Sequence, residues 1–259
     1  MKFKLGKLPF VKDERDLMFR KYRVTMKENA PVIVPVEFGH EGIVPSWGMY
    51  LNDRIGICAI AGPLHLIKMR TAAAGSPSDF TDDEAVKAYS AVSGYDPNAV
   101  DSDGNNSTDT GCVLRDVLTY WRDVGFTDTT GKVHTIAAYV RIDVGDMAGI
   151  NEAMYLFGGV LAGLQVPESM QQQFAAGLPL TVVDGSPIEG GHCMPPLGER
   201  AGGIPCSTWG AVTMASPDFF AKYYDEAWAV LSDDELRGDG TTNEGFDMAQ
   251  LRADLDALP

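Results

Sequence analysis

Two side chains in this sequence have the types and spacing for nucleophilic chemistry. Cys58 follows the loop Asn52-Asp53-Arg54-Ile55-Gly56-Ile57 and opens Cys58-Ala59-Ile60-Ala61-Gly62, which reads as the first turn of a helix. Thiolate is the reactive form of cysteine, and a helix N-terminus favours it through unpaired backbone N–H groups and the macrodipole. A thiolate needs a partner base, and His192, in Gly190-Gly191-His192-Cys193, is the candidate, 134 residues downstream. Proton exchange between the two would give an imidazolium–thiolate pair in which each charge favours the other. The sulfur could then attack a carbonyl, with the imidazolium protonating the leaving amine. Taken separately, a buried Cys on a helix and a His on a strand are structural residues; their joint spacing is what argues for chemistry.

With its neighbours, the pair resembles the papain-like cysteine peptidases, whose histidine follows the cysteine at roughly 130–150 residues. The resemblance puts Asn52 where the family has a Gln, six residues before the Cys, and implies an oxyanion-hole donor there. Gly56 matches the family Gly two residues before the Cys, whereas Ala59 stands in place of an aromatic. Ser207-Thr208-Trp209-Gly210 resembles Asn-Ser-Trp-Gly, so Ser207 falls where the family has the Asn that orients the His, and Trp209 would shield the imidazole. Asp184 and Glu189, both near His192 in sequence, are alternative carboxylates for that third role. Thr110-Gly111-Cys112 looks like the glycine-bearing cleft wall, with Gly111, Cys112, Gly191 and Trp209 as substrate-contacting positions. The resemblance covers residues 45–231.

What it implies is an α+β, two-lobed papain-like fold: a helical lobe (about 45–130) whose central helix starts at the Cys, and an antiparallel, barrel-like β lobe (about 131–215, plus a closing helix) carrying the His. The implied activity is a thiol hydrolase, a cysteine endopeptidase acting on peptide or protein substrates without a cofactor. Loss of the Asn, Pro195-Pro196 just past the His, and no helical pro-segment in the 57 residues ahead of Cys58 suit a second reading: a weakened or inactive papain fold serving as a structural or binding component of an assembly. Trp47-Gly48-Met49 to Asn52-Asp53 and Tyr223-Tyr224-Asp225-Glu226-Ala227-Trp228 look like papain-like proteins encoded by bacteriophages of actinobacteria. A peptidoglycan amidase or endopeptidase is a third reading.

The elements that must position these groups can be read in outline. A central helix is expected over Cys58–Arg70, interrupted by Pro63, which removes one intrahelical donor. His65 lies seven residues from Cys58, about 10 Å along a helix axis, and is read as a packed helix residue. A helix is expected from Thr81 to Val92, a strand over Lys132–Ile142 with His134 at its rim, a helix from Asp146 to Phe157 and a buried strand over 158–164. The strand around His192 must be short or at a sheet edge, because Pro195 and Pro196 cannot donate to a ladder. Ser216-Pro217 starts a closing helix expected over Asp218–Leu231, with Asp225 and Glu226 toward water. If His192 faced Ser207 across a hairpin, Cys193 would face Cys206, leaving a cross-strand disulfide or two small buried thiols as the readings.

Composition bounds the rest. The 259 residues suit one large domain or two lobes, and a formal charge of −15 makes nucleic acid and anionic membranes poor partners. Nine of the 21 Lys and Arg residues lie in the first 30 positions, so residues 1–44 read as a basic arm and extended segment that wraps the acidic body or docks on other subunits of an assembly. Residues 232–259 read as an acidic tail. There is no run of 18 apolar residues, no secretory signal and no Cys-x-x-Cys pair, so membrane spanning and a structural zinc site are not expected, and the cytoplasm or a particle is the expected location. Asp101, Asp103 and Asn105 alternate like calcium ligands, but Gly104 and Cys112 fall out of step with the EF-hand pattern, and a solvated loop is expected.

Overall fold

The computed structural model describes residues 2–21, 23, 33–232 and 234. At its centre is the helix Cys58–Ala73, in which every residue from Cys58 to Thr71 is buried. A helix buried on all faces cannot be amphipathic, and it has to be enclosed by other elements. Pro63 sits inside it, and Gly62 lets it approach the β lobe: a Cβ at Gly62 would lie 2.6 Å from Cys193 Sγ. Around it pack the helices Asp82–Ser93 and Leu114–Asp123. The first begins at Thr81, whose hydroxyl and backbone N–H both pair with Glu84 in a capping box, and it ends at Gly94 with φ 77°.

A four-stranded antiparallel sheet forms the second lobe, in the order Ile136–Arg141, Tyr224–Ser232, Leu161–Pro167, Ile188–Cys193. The strand bearing His192 is six residues long and lies at the sheet edge, which suits the two prolines after it. A hairpin of Ile204–Thr208 with Ala211–Ala215 and the helices Met147–Phe157 and Glu168–Ala175 complete this lobe. The buried apolar residues fall into two clusters. One is centred on Phe157, Val166, Trp209 and Phe219, the other on Ile60, Leu64, Trp121 and Tyr89. Two cores with a seam between them are the two-lobed α+β architecture expected from the sequence.

Four expectations are corrected. The closing helix is only Pro217–Tyr223, and Tyr224–Ser232 is a strand in the middle of the sheet, with Glu226 buried rather than facing water. A short apolar run buried on both faces carries no alternation, so sequence period alone cannot separate it from a buried helix. Cys193 is not opposite Cys206. His192 pairs with Leu164, Cys206 pairs with Thr213, and all four cysteines are free and buried. His134 is not a rim residue: it is buried, with Nδ1 2.7 Å from Asp234 Oδ1 and Nε2 3.1 Å from Asp128 Oδ2. The strand expected over Lys132–Ile142 breaks at Thr135 into Val133–His134 and Ile136–Arg141. The acidic-tail reading lies, beyond Asp234, outside the described residues. Asp101 turns its carboxylate onto the amides of Asp103 and Asn105, and no cluster of three His, Cys, Asp or Glu side chains suited to a metal occurs among the described residues. No helix among them is long and apolar enough to cross a membrane.

Burial works against a charged His134, but the carboxylates of Asp234 and Asp128 outweigh it and raise its pKa above the ordinary value. A group whose folded pKa exceeds its unfolded one stabilises the fold below the unfolded value, about 6.5 for His, and that contribution is lost as pH rises through the folded value. The stability gap between the native chain and His134→Gln should therefore be larger near pH 5.5 than near pH 9. Thermal unfolding of both proteins across that range checks it, and a pH-independent gap would contradict it.

Candidate active site

Cys58 opens the central helix and His192 lies on the edge strand, whose next residue, Cys193, reaches the thiol. The helix N-cap residue, Ile57, offers no side-chain hydrogen bond; its carbonyl accepts from the Ile60 and Ala61 N–H groups, and the Ala59 amide is the one of the first turn that favours the thiolate. Asp109 fixes the approach loop. Its Oδ1 accepts from the Gly56 N–H at 2.8 Å and from the Tyr89 hydroxyl at 2.7 Å, and the Tyr89 oxygen accepts from the Gly111 N–H at 2.9 Å. One carboxylate and one phenol thus tie the loop before the cysteine to the opposite cleft wall. Neither partnership stood out in the sequence, because Asp109 lies 53 residues from Gly56 and such a separation carries no periodic signal.

The Cys193 N–H, one residue past His192, donates to Cys58 Sγ at 3.4 Å. His192 is fully buried. Its ring stacks on Trp209 with centroids 4.7 Å apart, its Nε2 lies 2.7 Å from Thr208 Oγ1, and its Nδ1 has no hydrogen-bond partner. When Nε2–H donates to Thr208, Nδ1 carries the free lone pair that a base requires. The hydroxyl on the imidazole therefore belongs to Thr208 and not to Ser207, whose Oγ is buried without a partner. Strand alternation is the reason: Ser207 and Thr208 point to opposite sides of Ile204–Thr208, and residue counting from Trp209 could not choose the side. Asp184 pairs with Lys222 and Glu189 with Lys2 and Gln171, so neither reaches His192. Asn52 is buried, with its Oδ1 unpartnered. His65 is also buried, its Nε2 3.0 Å from the Gly48 carbonyl, and does not join the site.

The cleft is filled by the chain's own N-terminal arm. Phe3 stacks on Trp209 at 4.5 Å, Gly6 lies over the nucleophile loop, and Lys7 and Leu8 run along the far wall. Backbone hydrogen bonds hold both sides: Lys7 N–H to the Gly191 carbonyl at 3.1 Å, Cys112 N–H to the Gly6 carbonyl at 2.8 Å, and Leu8 N–H to the Cys112 carbonyl at 2.8 Å. The arm pairs with Cys112 in parallel. Gly111 and Gly191 make room for it, since a Cβ on either would come within 2.2 Å of the Gly6 oxygen or 2.3 Å of the Lys7 oxygen. Residues 3–8 of the basic arm thus lie against the body, in the cleft.

Occlusion sets the charge state of the pair. Burial is the largest influence on Cys58 and raises its pKa, while the amides of Cys193, Gly6 and Ala59 and the charge of Lys7 pull it down. Burial also pushes His192 down to about 3. Burial therefore works against the ion pair expected from the sequence while the site is closed. A Cβ on Gly6 would lie 1.8 Å from the Gly56 carbonyl oxygen, so Gly6→Ala should lift the arm. Amide exchange at Lys7, Leu8 and Cys112, measured in the full chain, should speed up by at least about tenfold; unchanged protection would show that the arm accommodates the methyl group.

No family model matches the sequence, and no curated protein matches it. Solved structures do match. Xylellain, a cysteine protease from Xylella fastidiosa, superposes with a TM-score of 0.64 at 14% identity, covering 89% of this chain and 96% of that one. Procathepsin B from Trypanosoma congolense gives 0.55 at 11% identity over 88% and 86% of the two chains. Procathepsin L 3 of Tenebrio molitor larval midgut gives 0.54 at 12% identity over 89% and 75%. At such identities the likeness establishes the fold, and the fold is papain-like.

Proposed function

We propose that this papain-like fold is a thiol hydrolase that cleaves peptide bonds, with Cys58 as nucleophile and His192 as base. The observation that carries the reading is the arm itself: an extended polypeptide lies across Cys58, hydrogen-bonded through its backbone to Gly191 on one wall and Cys112 on the other. A cleft that holds an extended backbone over a cysteine at a helix N-terminus suits a peptide substrate. Gly111, Cys112, Gly191 and Trp209 are the substrate-contacting residues in this reading.

The chemistry would run as follows. The Cys58 S–H gives its proton to His192 Nδ1, and the sulfur attacks the carbonyl carbon. The resulting oxyanion takes hydrogen bonds from the Cys58 N–H and the Asn52 side-chain amide; losing one such donor costs roughly 10² to 10³ in rate. The imidazolium then protonates the departing amine as the C–N bond breaks, leaving a thioester. Water attacks the thioester, passes a proton to His192 and releases the acid, and the thiol is restored. Thr208 holds the imidazole where the family has an Asn, with Trp209 stacked on the ring. Withdrawal of the arm would let water reach both groups. Desolvation is the dominant cause of both pKa shifts, so hydration moves Cys58 down and His192 up, toward the ion pair.

The second reading, a papain fold kept as a binding or structural component of an assembly such as a phage particle, is favoured by one observation: the site is closed as it stands. Labelling separates the two. A papain-class epoxide followed by intact mass should modify Cys58 slowly in the native chain. Gly6→Ala should raise the rate by at least about tenfold. Adding His192→Ala to Gly6→Ala should lower it again by roughly 10² or more, the scale of general-base catalysis. Labelling of Cys58 no faster than Cys112 in the opened chain, and indifferent to His192, would leave the binding reading.

A further inference from the structure

The arm shows what kind of side chain the cleft takes. Lys7 pairs with Cys112 and is the residue next to Gly6, which lies on the nucleophile loop. Its side chain is fully buried and runs over bare backbone at Gly163, where a Cβ would lie 2.1 Å from Lys7 Cε. At the end of this slot Nζ meets Asp225, 3.0 Å from Oδ1 and 3.1 Å from Oδ2, and stands 3.5 Å from Glu226 Oε2. Both carboxylates are held from behind. Gln165 Nε2 donates to Asp225 Oδ2, and Trp228 Nε1 donates to Glu226 Oε1 at 2.8 Å. Glu226 Oε2 is buried and has no hydrogen-bond partner.

Two carboxylates face one ammonium in this slot; burial raises the pKa of Glu226, and the charge of Lys7 pulls it back down. An apolar side chain there would leave both carboxylates uncompensated, one of them fully buried, which is the costly arrangement. A guanidinium has two more N–H donors than an ammonium and could also satisfy Glu226 Oε2. The slot opens at the position opposite Cys112, so it faces whatever residue of a bound peptide pairs there.

We propose that Asp225 and Glu226 form a cation-selective specificity pocket, so that the substrates of the hydrolase proposed above are peptides with Lys or Arg paired to Cys112, and that Lys7 closes the cleft by occupying this pocket. The substrate part rests on the hydrolase reading; the pocket's selectivity does not. At Lys7 itself, Lys7→Arg keeps the positive charge, whereas Lys7→Met keeps the stem and removes it.

The test uses the full chain with Lys7→Ala at about pH 8, well above the ordinary carboxylate range. n-Butylammonium, which has the length and charge of a lysine side-chain end, should raise the melting temperature saturably. n-Butanol should not, and Glu226→Gln added to Lys7→Ala should weaken the n-butylammonium response at least about tenfold in concentration. Equal responses to amine and alcohol would overturn the pocket. If Lys7→Ala does not fold, amide exchange at Leu8 decides: protection kept in Lys7→Arg and lost in Lys7→Met supports the pocket, and protection kept in both overturns it. Peptidyl epoxides carrying Lys or Leu at the recognition position then read the substrate claim. Labelling of Cys58 at least about tenfold faster by the Lys probe supports it. Faster labelling by the Leu probe overturns the specificity and leaves the hydrolase reading intact. No labelling by either probe, with n-butylammonium still bound, rejects the hydrolase reading and keeps the pocket.

Discussion

The helix Cys58–Ala73 has no wet face, and that constraint organises the molecule. With every residue from Cys58 to Thr71 buried, both lobes have to pack against it, and its N-terminus has to emerge at the seam between them. The cysteine at its first position is therefore placed by packing, and no local loop preference is needed to hold it there. Gly62 is a point of close contact, because any side chain there would strike Cys193 Sγ and push the edge strand with His192 away from the thiol. A single glycine in the second turn of the helix thus sets how near the strand of His192 can come to Cys58.

The seam so formed is occupied from the chain's own N-terminus. Three backbone hydrogen bonds, the Phe3–Trp209 stack and the buried Lys7 contacts fasten residues 3–8. Each backbone hydrogen bond contributes on the order of 1 kcal/mol net. Breaking a buried ion pair by removing one partner typically costs about 3–5 kcal/mol, so Lys7 outweighs any one of them as the fastener. Burial raises the Cys58 pKa although three backbone amides favour the thiolate, and it lowers that of His192.

Much of this was legible in the sequence where local chemistry decides. Asp146 and Ser216 begin helices because their side-chain oxygens accept from Gly149 and Phe219, which the residue types alone suggest. The short edge strand at His192 followed from two prolines, and the helix at Cys58 from the glycine and apolar run around it. The helix that proved to be the strand Tyr224–Ser232 was not legible, since an element buried on both faces has no period to read. Nor was His134, whose two carboxylate partners lie six and 100 residues away.

The sequence by itself determined the position of a cysteine at a helix start, the spacing to His192 and the presence of a basic arm on an acidic body, because each depends on neighbouring residues or on composition; the α+β class was implied by the resemblance those residues carry. Only tertiary structure decided that Thr208 and not Ser207 meets the imidazole, that Asp109 and Tyr89 tie the cleft walls, and that the arm lies in the cleft with Lys7 between Asp225 and Glu226. The last pairing joins residues 218 positions apart. Its attraction exists only after two lobes, a sheet and an arm have each found their place, and no local pattern in the chain encodes that distance.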